Sequence, residues 1–493
     1  MTVEVQDTSR PYTSSDNPNH ERRWLVLCIV ALAQLTVVLD ATIVSIALPQ
    51  AQATLGISDG DRHWAVTAYA LAFGALLLLG GRIADFWGRK RSFMVGMVGF
   101  AVASAVGGLA QNGLQLFAAR AGQGVFAALL APAALAILTT TFREGAERAR
   151  AFAVYGAISG GGAAVGLLLG GFLTQYVDWR WCLLVNIPVA LFALAVTAPI
   201  VRESKAHGDT RYDVPGTILV AIGLGGLVFG FTQAEKHGWA STETISFIVV
   251  GLLALAAFVV VEQRSSHPLL PLYVPWDRNR APGLVGSMMV GAALIGGTLY
   301  LTFYLQIVLG MSPFVSGAAS LPLTAAITVA AGIAAQLMTR VGPKVPMTIG
   351  PVVAALGLIL LTRIDVGSSY VAAVLPGLIV LGLGLGLVLV PAQNIALVGV
   401  EDHDAGAASA LVNATMQIGG ALGTALFTTI YVSAKSSFAG TNPDAHPFAV
   451  EVAGYTDVFL WAAALLAVVC PIVLALVRAR KADMPAEGAV GMH

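Results

Sequence analysis

The sequence contains few charged residues. Asp, Glu, Lys and Arg make up 11% of its 493 residues, and apolar residues make up 57%. In soluble globular domains about a quarter of the residues are charged, so this composition excludes an ordinary soluble protein. The chain is therefore expected to lie in a membrane.

Several common functional motifs are also missing. The sequence has no GxxxxGK[ST] phosphate loop and no HExxH helix, which disfavours ATP-driven pumping by this chain alone. Its three cysteines, Cys28, Cys182 and Cys470, lie far apart in apolar segments, so packing explains them better than disulfides or a metal site. A basic stripe with interleaved aromatics, typical of nucleic-acid binding, is absent. We expect no metal, no cofactor, no nucleic-acid partner and no enzymatic activity.

Fourteen long apolar segments are present instead. A transmembrane helix needs about 20 mostly apolar residues, and these segments are continuously apolar, unlike the alternating strands of a barrel. An all-α membrane protein with 14 transmembrane helices is therefore predicted. The segments are 24–48, 64–81, 92–110, 113–140, 151–174, 181–200, 214–234, 245–261, 283–309, 313–338, 345–361, 371–396, 405–433 and 458–477.

The distribution of basic residues predicts the orientation. With a cytoplasmic N-terminus, 21 of the 27 Lys and Arg residues lie on the cytoplasmic side and one lies in a span. The five outside are Arg62, Arg180, Lys236, Arg363 and Lys435. This bias follows the positive-inside rule and predicts that both termini are cytoplasmic. The first apolar run is too long for a cleaved signal peptide, so it is expected to remain as an anchor in the bilayer.

Only two side chains inside the fourteen segments carry a formal charge, Asp40 and Arg120. A charge in hydrocarbon costs about 2.5–3.5 kcal/mol on insertion scales, so it usually faces a polar cavity or a partner. At 1.5 Å per residue both lie about 10–12 Å from the outer ends of their segments. Their similar depth permits a direct or water-mediated pair. Such a pair either carries protons through Asp40 or is a structural ion pair.

An internal repeat indicates the domain organisation. The loop GRIADFWGRKR (81–91) aligns with AQLMTRVGPKV (335–345), eight helices later. Two six-helix halves would give an offset of six, so two extra helices are predicted between them. The predicted units are a cytoplasmic tail 1–23, an N-terminal half 24–200, a linker with helices 7 and 8 at 201–261, a C-terminal half 262–477 and a cytoplasmic tail 478–493.

Six segments together resemble the major facilitator superfamily, and within it the 14-helix drug:proton antiporters. The resemblance implies the superfamily fold, with helices 1 and 4 adjacent at a central cavity and with proton coupling through Asp40 and Arg120. Two positions depart from the family pattern: Leu167 stands where Pro is usual, and Thr339 where Asp would stand. The segments are LDATIVSIALP (39–49), GRIADFWGRKR (81–91), LFAARAGQGVFAA (116–128), GLLLGG (166–171), WRWCLLVNIP (179–188) and YLQIVLGMSP (304–313).

The resemblance also implies a latch between the halves on the cytoplasmic side. Asp85 is expected to pair with Arg89 and to accept hydrogen bonds from a neighbouring helix N-terminus. The alternative is a solvated basic loop that only sets orientation. The residues assigned to the latch are Gly81, Asp85, Gly88 and Arg89.

Helix 5 carries a stripe of glycines that allows close approach between helices. Tight static packing explains much of such a stripe, and the resemblance implies a seam that slides during alternating access. The residues assigned to this motif are Gly162, Gly166, Gly170 and Gly171.

A drug-like substrate requires aromatic and amide side chains in a mostly apolar cavity. Each candidate is also suited to interhelical hydrogen bonding or packing. As a set they favour an apolar or cationic ligand over a sugar. The candidates are Gln34, Tyr69, Phe73, Gln123, Tyr155, Tyr300, Tyr304, Gln306, Asn394, Asn413 and Gln417.

The resulting prediction is a monomeric, proton-coupled exporter of hydrophobic or cationic small molecules, such as drugs or antibiotics, in a bacterial plasma membrane. One alternative is a dedicated exporter of a single endogenous natural product or lipid, which the same fold would serve. A second alternative, from a different class, is a transport-inactive membrane sensor or scaffold. A membrane enzyme would need convergent nucleophiles, bases or metal ligands in the spans, and the sequence offers none.

Overall fold

A computed structural model describes residues 20–142, 145–205, 213–265, 268–270, 272–400 and 405–478. Within these ranges the regular structure is helical throughout, and fourteen helices are long and apolar enough to cross a membrane. The predicted all-α class and number of spans are confirmed. The helices are α1 Arg23–Leu55, α2 Trp64–Trp87, α3 Arg89–Gly108, α4 Gly113–Thr141, α5 Gly145–Tyr176, α6 Trp181–Ile200, α7 Val214–His237, α8 Thr242–Arg264, α9 Arg280–Val308, α10 Pro313–Val341, α11 Lys344–Leu361, α12 Tyr370–Leu397, α13 Ala407–Thr441 and α14 Pro447–Leu476.

Several helices extend beyond the apolar segments. The apolar segments 405–433 and 458–477 leave residues 434–457 between them, but α13 continues to Thr441 and α14 begins at Pro447. Hydropathy marks only the part of a helix that lies in hydrocarbon, whereas backbone hydrogen bonding continues through polar residues. In this extension Lys435 of α13 forms a salt bridge with Glu451 of α14. Polar residues thus belong to the helices at this end.

The same helix pairings recur eight helices apart. α1 packs on α5 and α2 on α4, and in the same way α9 packs on α13 and α10 on α12. The contact of α3 with α4 likewise recurs between α11 and α12. The chain therefore has two six-helix halves, here called the N half (α1–α6) and the C half (α9–α14). This is the repeat that the two related loops indicated.

Helices α7 and α8 are additional to the two halves. They pack closely on each other, since a Cβ on Gly226 would lie 2.9 Å from the Cα of Gly251. α7 also contacts both α2 and α13, so the pair covers one seam between the halves. The predicted boundary at 261 falls inside α8, which ends at Arg264. The tails 1–19 and 479–493, and residues 206–212 of the predicted linker, lie outside the described residues.

The two halves meet closely at one end of the bundle, the end with the 56–63 connection. We call it the outer end, because the charge distribution predicts that it faces away from the cytoplasm. A Cβ on Gly317 of α10 would lie 2.3 Å from the carbonyl oxygen of Leu167 in α5. At the inner half of α5, Cβ atoms on Gly156 and Gly160 would meet no atom within 4 Å. α5 and α10 therefore touch at their outer ends.

Candidate functional site

Asp40 lies at the centre of a buried polar network. Its side chain is 0% exposed, and its carboxylate accepts hydrogen bonds from three side chains. Arg120 Nη1 donates to Oδ2, while Gln123 Nε2 and Asn186 Nδ2 both donate to Oδ1 at 2.8 Å. These donors come from α4 and α6, so the carboxylate of α1 ties three helices of the N half together.

Arg120 is held as firmly as its partner. The side chain is 1% exposed, and its Nε donates to the carbonyl oxygen of Ala65 at 2.8 Å. Its Nη1 also donates to Gln123 Oε1 at 2.8 Å, and its guanidinium carbon lies 4.5 Å from the centre of the Tyr69 ring. A buried pair is stable only when further hydrogen bonds surround it. Here Nε and Nη1 of Arg120 donate to Ala65, Asp40 and Gln123.

One further side chain, that of Ser104, completes the network. Gln123 Nε2 donates to Ser104 Oγ at 2.8 Å, and Asn186 Nδ2 lies 3.4 Å from the same hydroxyl. Asn186 is at the start of a helical segment, directly after the turn at Val185 that interrupts α6. Neither Asn186 nor Ser104 is among the residues predicted from the sequence. The sequence feature that could have identified Asn186 is its amide inside an apolar span, because such an amide needs a hydrogen-bonding partner.

In this arrangement the stability of the buried network depends on the charge of Asp40. The ionised carboxylate matches one cation and two amide donors. A proton on Asp40 removes the negative charge, so Arg120 becomes an uncompensated buried cation, which is strongly unfavourable. Protonation of Asp40 therefore favours a rearrangement of α1 against α4 and α6.

We expect Asn186→Ala to lower the melting temperature of the protein, because loss of a hydrogen-bond donor to the buried Asp40 carboxylate costs about 1–3 kcal/mol. The matched control is Asn442→Ala, because the exposed Asn442 amide donates only at the end of its own helix, to the Phe438 carbonyl and the Thr441 hydroxyl. Thermal unfolding of the purified variants measures the effect. Equal melting temperatures for the two variants would show that Asn186 does not support Asp40.

The helix 5 glycines face two different neighbours. Cβ atoms on Gly162, Gly166 and Gly170 would contact Val38, Thr42 and Ile43, all on α1 of the same half. Only the fourth, Gly171, faces the C half, where a Cβ would lie 2.7 Å from the Cα of Phe314. Three glycines thus allow packing within the N half, and Gly171 lies at the contact between the halves.

The loop assigned to the cytoplasmic latch is held by residues after α6. Asp85 accepts from Arg89 Nη2 at 2.9 Å, within its own loop. The expected carboxylate at the N-terminus of α3 is Glu203 and not Asp85, because Glu203 accepts the backbone N–H groups of Lys90 and Arg91 at 3.0 and 3.1 Å. Asp85 at the end of α2 meets Arg89 at the start of α3 because the chain turns at Gly88 between the two helices.

Two glycines of this loop differ in whether their position requires a glycine. Gly88 has φ of 131°, a conformation that side-chain-bearing residues rarely adopt, and a Cβ there would lie 2.7 Å from the Glu203 carboxylate. A Cβ on Gly81 would make only an ordinary contact of 3.7 Å with Pro132. The backbone thus requires glycine at Gly88, and Gly81 allows a larger residue in this arrangement.

Residues 30–424 match the family model described as Major Facilitator Superfamily. The chain belongs to the major facilitator superfamily. It is a multi-pass membrane protein of a transporter family for small molecules.

Several curated relatives of this superfamily member carry export or resistance names. The chain is 48% identical over 458 residues to the puromycin resistance protein pur8 of Streptomyces alboniger, with 90% of each covered. It is 37% identical to the cephamycin export protein CmcT of Amycolatopsis lactamdurans, covering 83% of this chain and 85% of the relative. It is 34% identical to the tetracenomycin C resistance and export protein of Streptomyces glaucescens, covering 84% and 76%.

Solved structures agree on the major facilitator fold. A bacterial homologue of the human lysosomal transporter Spinster superposes with a TM-score of 0.66 at 15% identity, covering 94% of this chain and 98% of the other. The peptide transporter POT gives a TM-score of 0.65 at 16% identity, covering 96% and 99%. At this level of identity the likeness supports the fold.

The substrate candidates of this superfamily member separate into four groups. Tyr69 and Gln123 contact Arg120, and the Phe73 ring lies 5.7 Å from that of Tyr69. Gln34 connects α1 to α5, accepting from Tyr155 at 2.7 Å and donating to Ser159. Asn394 and Asn413 bond to carbonyls of their own helices, and Gln417 lies beside Gly74 of α2.

The remaining three candidates lie at the packed outer end. Tyr300 and Tyr304 are 0% exposed, and their hydroxyls are engaged by Thr428 and by the carbonyl of Asp365. Gln306 donates across the halves to the carbonyl of Ile46 at 3.0 Å. In this arrangement tight contact between the halves leaves Tyr300 and Tyr304 no free surface, and Gln306 is half-buried. That these side chains line a cavity in another state of the protein stays a prediction.

Proposed function

We propose that the protein is a proton-coupled exporter that removes hydrophobic or cationic antibiotics and similar molecules from the cell. The observation that carries this proposal is the fully buried Asp40 with its three donors, in a superfamily member 48% identical to a puromycin resistance protein. In this proposal the protein works as a single chain in the bacterial plasma membrane, with both termini in the cytoplasm.

Proton entry drives export through the charge of Asp40. In this structure the carboxylate is sealed from solvent, so α1 must move relative to α4 or α6 before a proton reaches it. A proton from outside neutralises Asp40 and weakens its bond to Arg120, which favours closure of the outer end. Release of that proton to the cytoplasm restores the network. Each cycle thus exchanges inward proton movement for outward movement of substrate.

The contacts between the halves support an inward-facing state. The outer ends of α5 and α10 are in van der Waals contact, whereas the inner glycines of α5 face open space. The loop with Asp85 and Arg89 forms its ion pair within the N half. We propose that the loop reaches the C half only when the outer end opens, and that it then acts as the latch.

A transport assay tests this function. Inside-out vesicles are prepared from a bacterial host that lacks its own efflux pumps, and a pH gradient is imposed across their membrane. Uptake of puromycin and of a lipophilic cation into the vesicles is then followed. We expect uptake that a protonophore abolishes. Absence of flux in well-folded protein would favour the sensor or scaffold alternative.

The range of substrates distinguishes a broad exporter from an exporter dedicated to one compound. The names of the cephamycin and tetracenomycin C relatives each state one compound, which favours testing the dedicated exporter as a second candidate. A panel of unrelated antibiotics in resistance assays gives the answer. Protection against several chemical classes supports the broad exporter, and protection against one class supports the dedicated exporter.

A further inference from the structure

A second buried charge lies at the outer end, outside the Asp40 network. Arg62 belongs to the connection between α1 and α2 in the N half, and its side chain is 1% exposed. Among the described residues its Nε and Nη2 atoms find no hydrogen-bond acceptor, and its Nη1 reaches Asp59 only at 3.5 Å. A guanidinium carries five N–H donors, so hydrogen bonds do not explain the burial of this one.

Aromatic rings of the C half surround the Arg62 guanidinium. Its central carbon lies 3.9 Å from the centre of the Phe303 ring, 4.5 Å from that of Tyr431 and 5.5 Å from that of Tyr300. The Tyr455 ring stacks on Tyr431 with centroids 5.4 Å apart. Ring faces within about 6 Å attract cations, most strongly where water is excluded. We call these four rings the aromatic cage.

The backbone of α9 positions two of the cage residues. π-helical turns at Ala292–Gly297 and Tyr304–Val308 flank the short α-helical stretch Thr298–Phe303. Such turns insert a residue into a helix, change which side chains face a neighbour and occur often at functional sites. Tyr300 and Phe303 both lie in the flanked stretch and both face Arg62.

Charged groups beside the cage also cross between the halves. Lys435 of the C half donates to Asp59 of the N half at 2.6 Å and forms a salt bridge with Glu451. Burial alone would raise the pKa of Asp59, but the hydrogen bond from Lys435 and the charge of Arg62 hold it below its ordinary value. Glu451 in turn accepts from the Tyr455 hydroxyl at 3.1 Å. The cage is therefore a cation site with an acid behind it.

We propose that the aromatic cage is a cation-binding site of the C half, that Arg62 is its built-in ligand, and that this occupancy locks the outer ends of the halves together. The proposal rests on the proposed alternating-access function, because the halves must part at this end for release to the outside. When they part, Arg62 leaves with the N half. The empty cage then faces the extracellular solution and accepts small guanidinium or alkylammonium cations.

Distances across the outer end test the lock directly. Spin labels are placed at Gln111 and Ala439, both exposed, in a full-length variant whose three cysteines are replaced by Ala. We expect Arg62→Ala to raise the ratio of long to short separations about thirtyfold, the change that corresponds to about 2 kcal/mol for a desolvated cation–π contact. Phe303→Ala alters the other partner and should shift the distances in the same direction.

The matched control is Arg180→Ala. Arg180 also lies at the outer end and packs 4.7 Å from the centre of the Trp179 ring, but both residues belong to the N half. We expect its distance distribution to equal that of the parent protein. A shift as large as that of Arg62→Ala would overturn the proposal, because loss of any outer arginine would then have the same effect.

A competing cation tests the site itself. Tetramethylammonium chloride, compared with sodium chloride at equal concentration, should raise the long-distance fraction of the parent protein and leave Phe303→Ala unchanged. Equal effects of the two salts on the parent protein would overturn the cation site, and unchanged distances in Arg62→Ala would overturn the lock. Neither measurement requires transport, so an absence of flux in the parent protein would refute only the proposed function.

Discussion

Asp40→Asn is expected to reduce proton-driven efflux to background. Asparagine is close to aspartate in shape but has no carboxylate to take up and release a proton. Asp40 is the only acid that the sequence places inside an apolar segment, and it contacts Arg120, Gln123 and Asn186. Initial rates under a measured pH gradient check the result, with Asp178→Asn, at the outer surface, as the control.

Loss of folding must be separated from loss of coupling in this experiment. A buried arginine that loses its partner costs about 3–5 kcal/mol, so the single variant is also expected to unfold at a lower temperature. The double variant Asp40→Asn with Arg120→Gln removes the uncompensated charge and should regain thermal stability without regaining proton-driven efflux. Wild-type efflux in either variant, at equal expression, would refute the coupling role of Asp40.

Gly317→Val is expected to have the second large effect. Its branched side chain would collide with the Leu167 carbonyl, which lies 2.3 Å from a Cβ at this position. Overpacking of this kind costs about 1–3 kcal/mol and falls on the state in which the outer ends touch. The balance between the states should shift about 5- to 150-fold, so transport slows and the spin labels at the outer end move apart.

Gly332→Val on the same helix is the matched control for this substitution. A Cβ on Gly332 would meet no atom within 4 Å, so the variant carries the same change in helix propensity without the collision. Transport near the parent rate is expected for it. If both variants transport equally well, close contact between α5 and α10 is not needed in the cycle.

The sequence predicted the features that depend on local chemistry. Continuous apolar runs predicted all fourteen helices, because the bilayer requires length and hydrophobicity within one segment. The charge pair was also accessible, since a charge inside an apolar segment must find a partner. Asp40 and Arg120 are far apart along the chain, but the position of each residue within its own segment gives its depth in the bilayer. The two depths are similar, so the pair could be predicted.

The features that were missed depend on contacts between distant segments. Arg62 counted in the sequence only as an outside positive charge, and its burial requires rings from α9 and α13. Glu203 reaches the N-terminus of α3 from more than a hundred residues away. Tyr300 is a residue type suited to a substrate cavity, but packing between the halves buries its side chain. A residue list contains no information on which face of a helix meets which partner.

The inserted pair α7–α8 makes the transporter asymmetric toward the surrounding lipid. α7 bridges α2 and α13, and the Thr429 hydroxyl of α13 donates to the Phe231 carbonyl of α7 at 2.8 Å. Among the described residues, the counterpart seam, where α5 meets α10, carries no inserted pair. The two flanks of the protein therefore present different surfaces to the lipid, one formed by α7 and α8 and the other formed by α5 and α10 themselves.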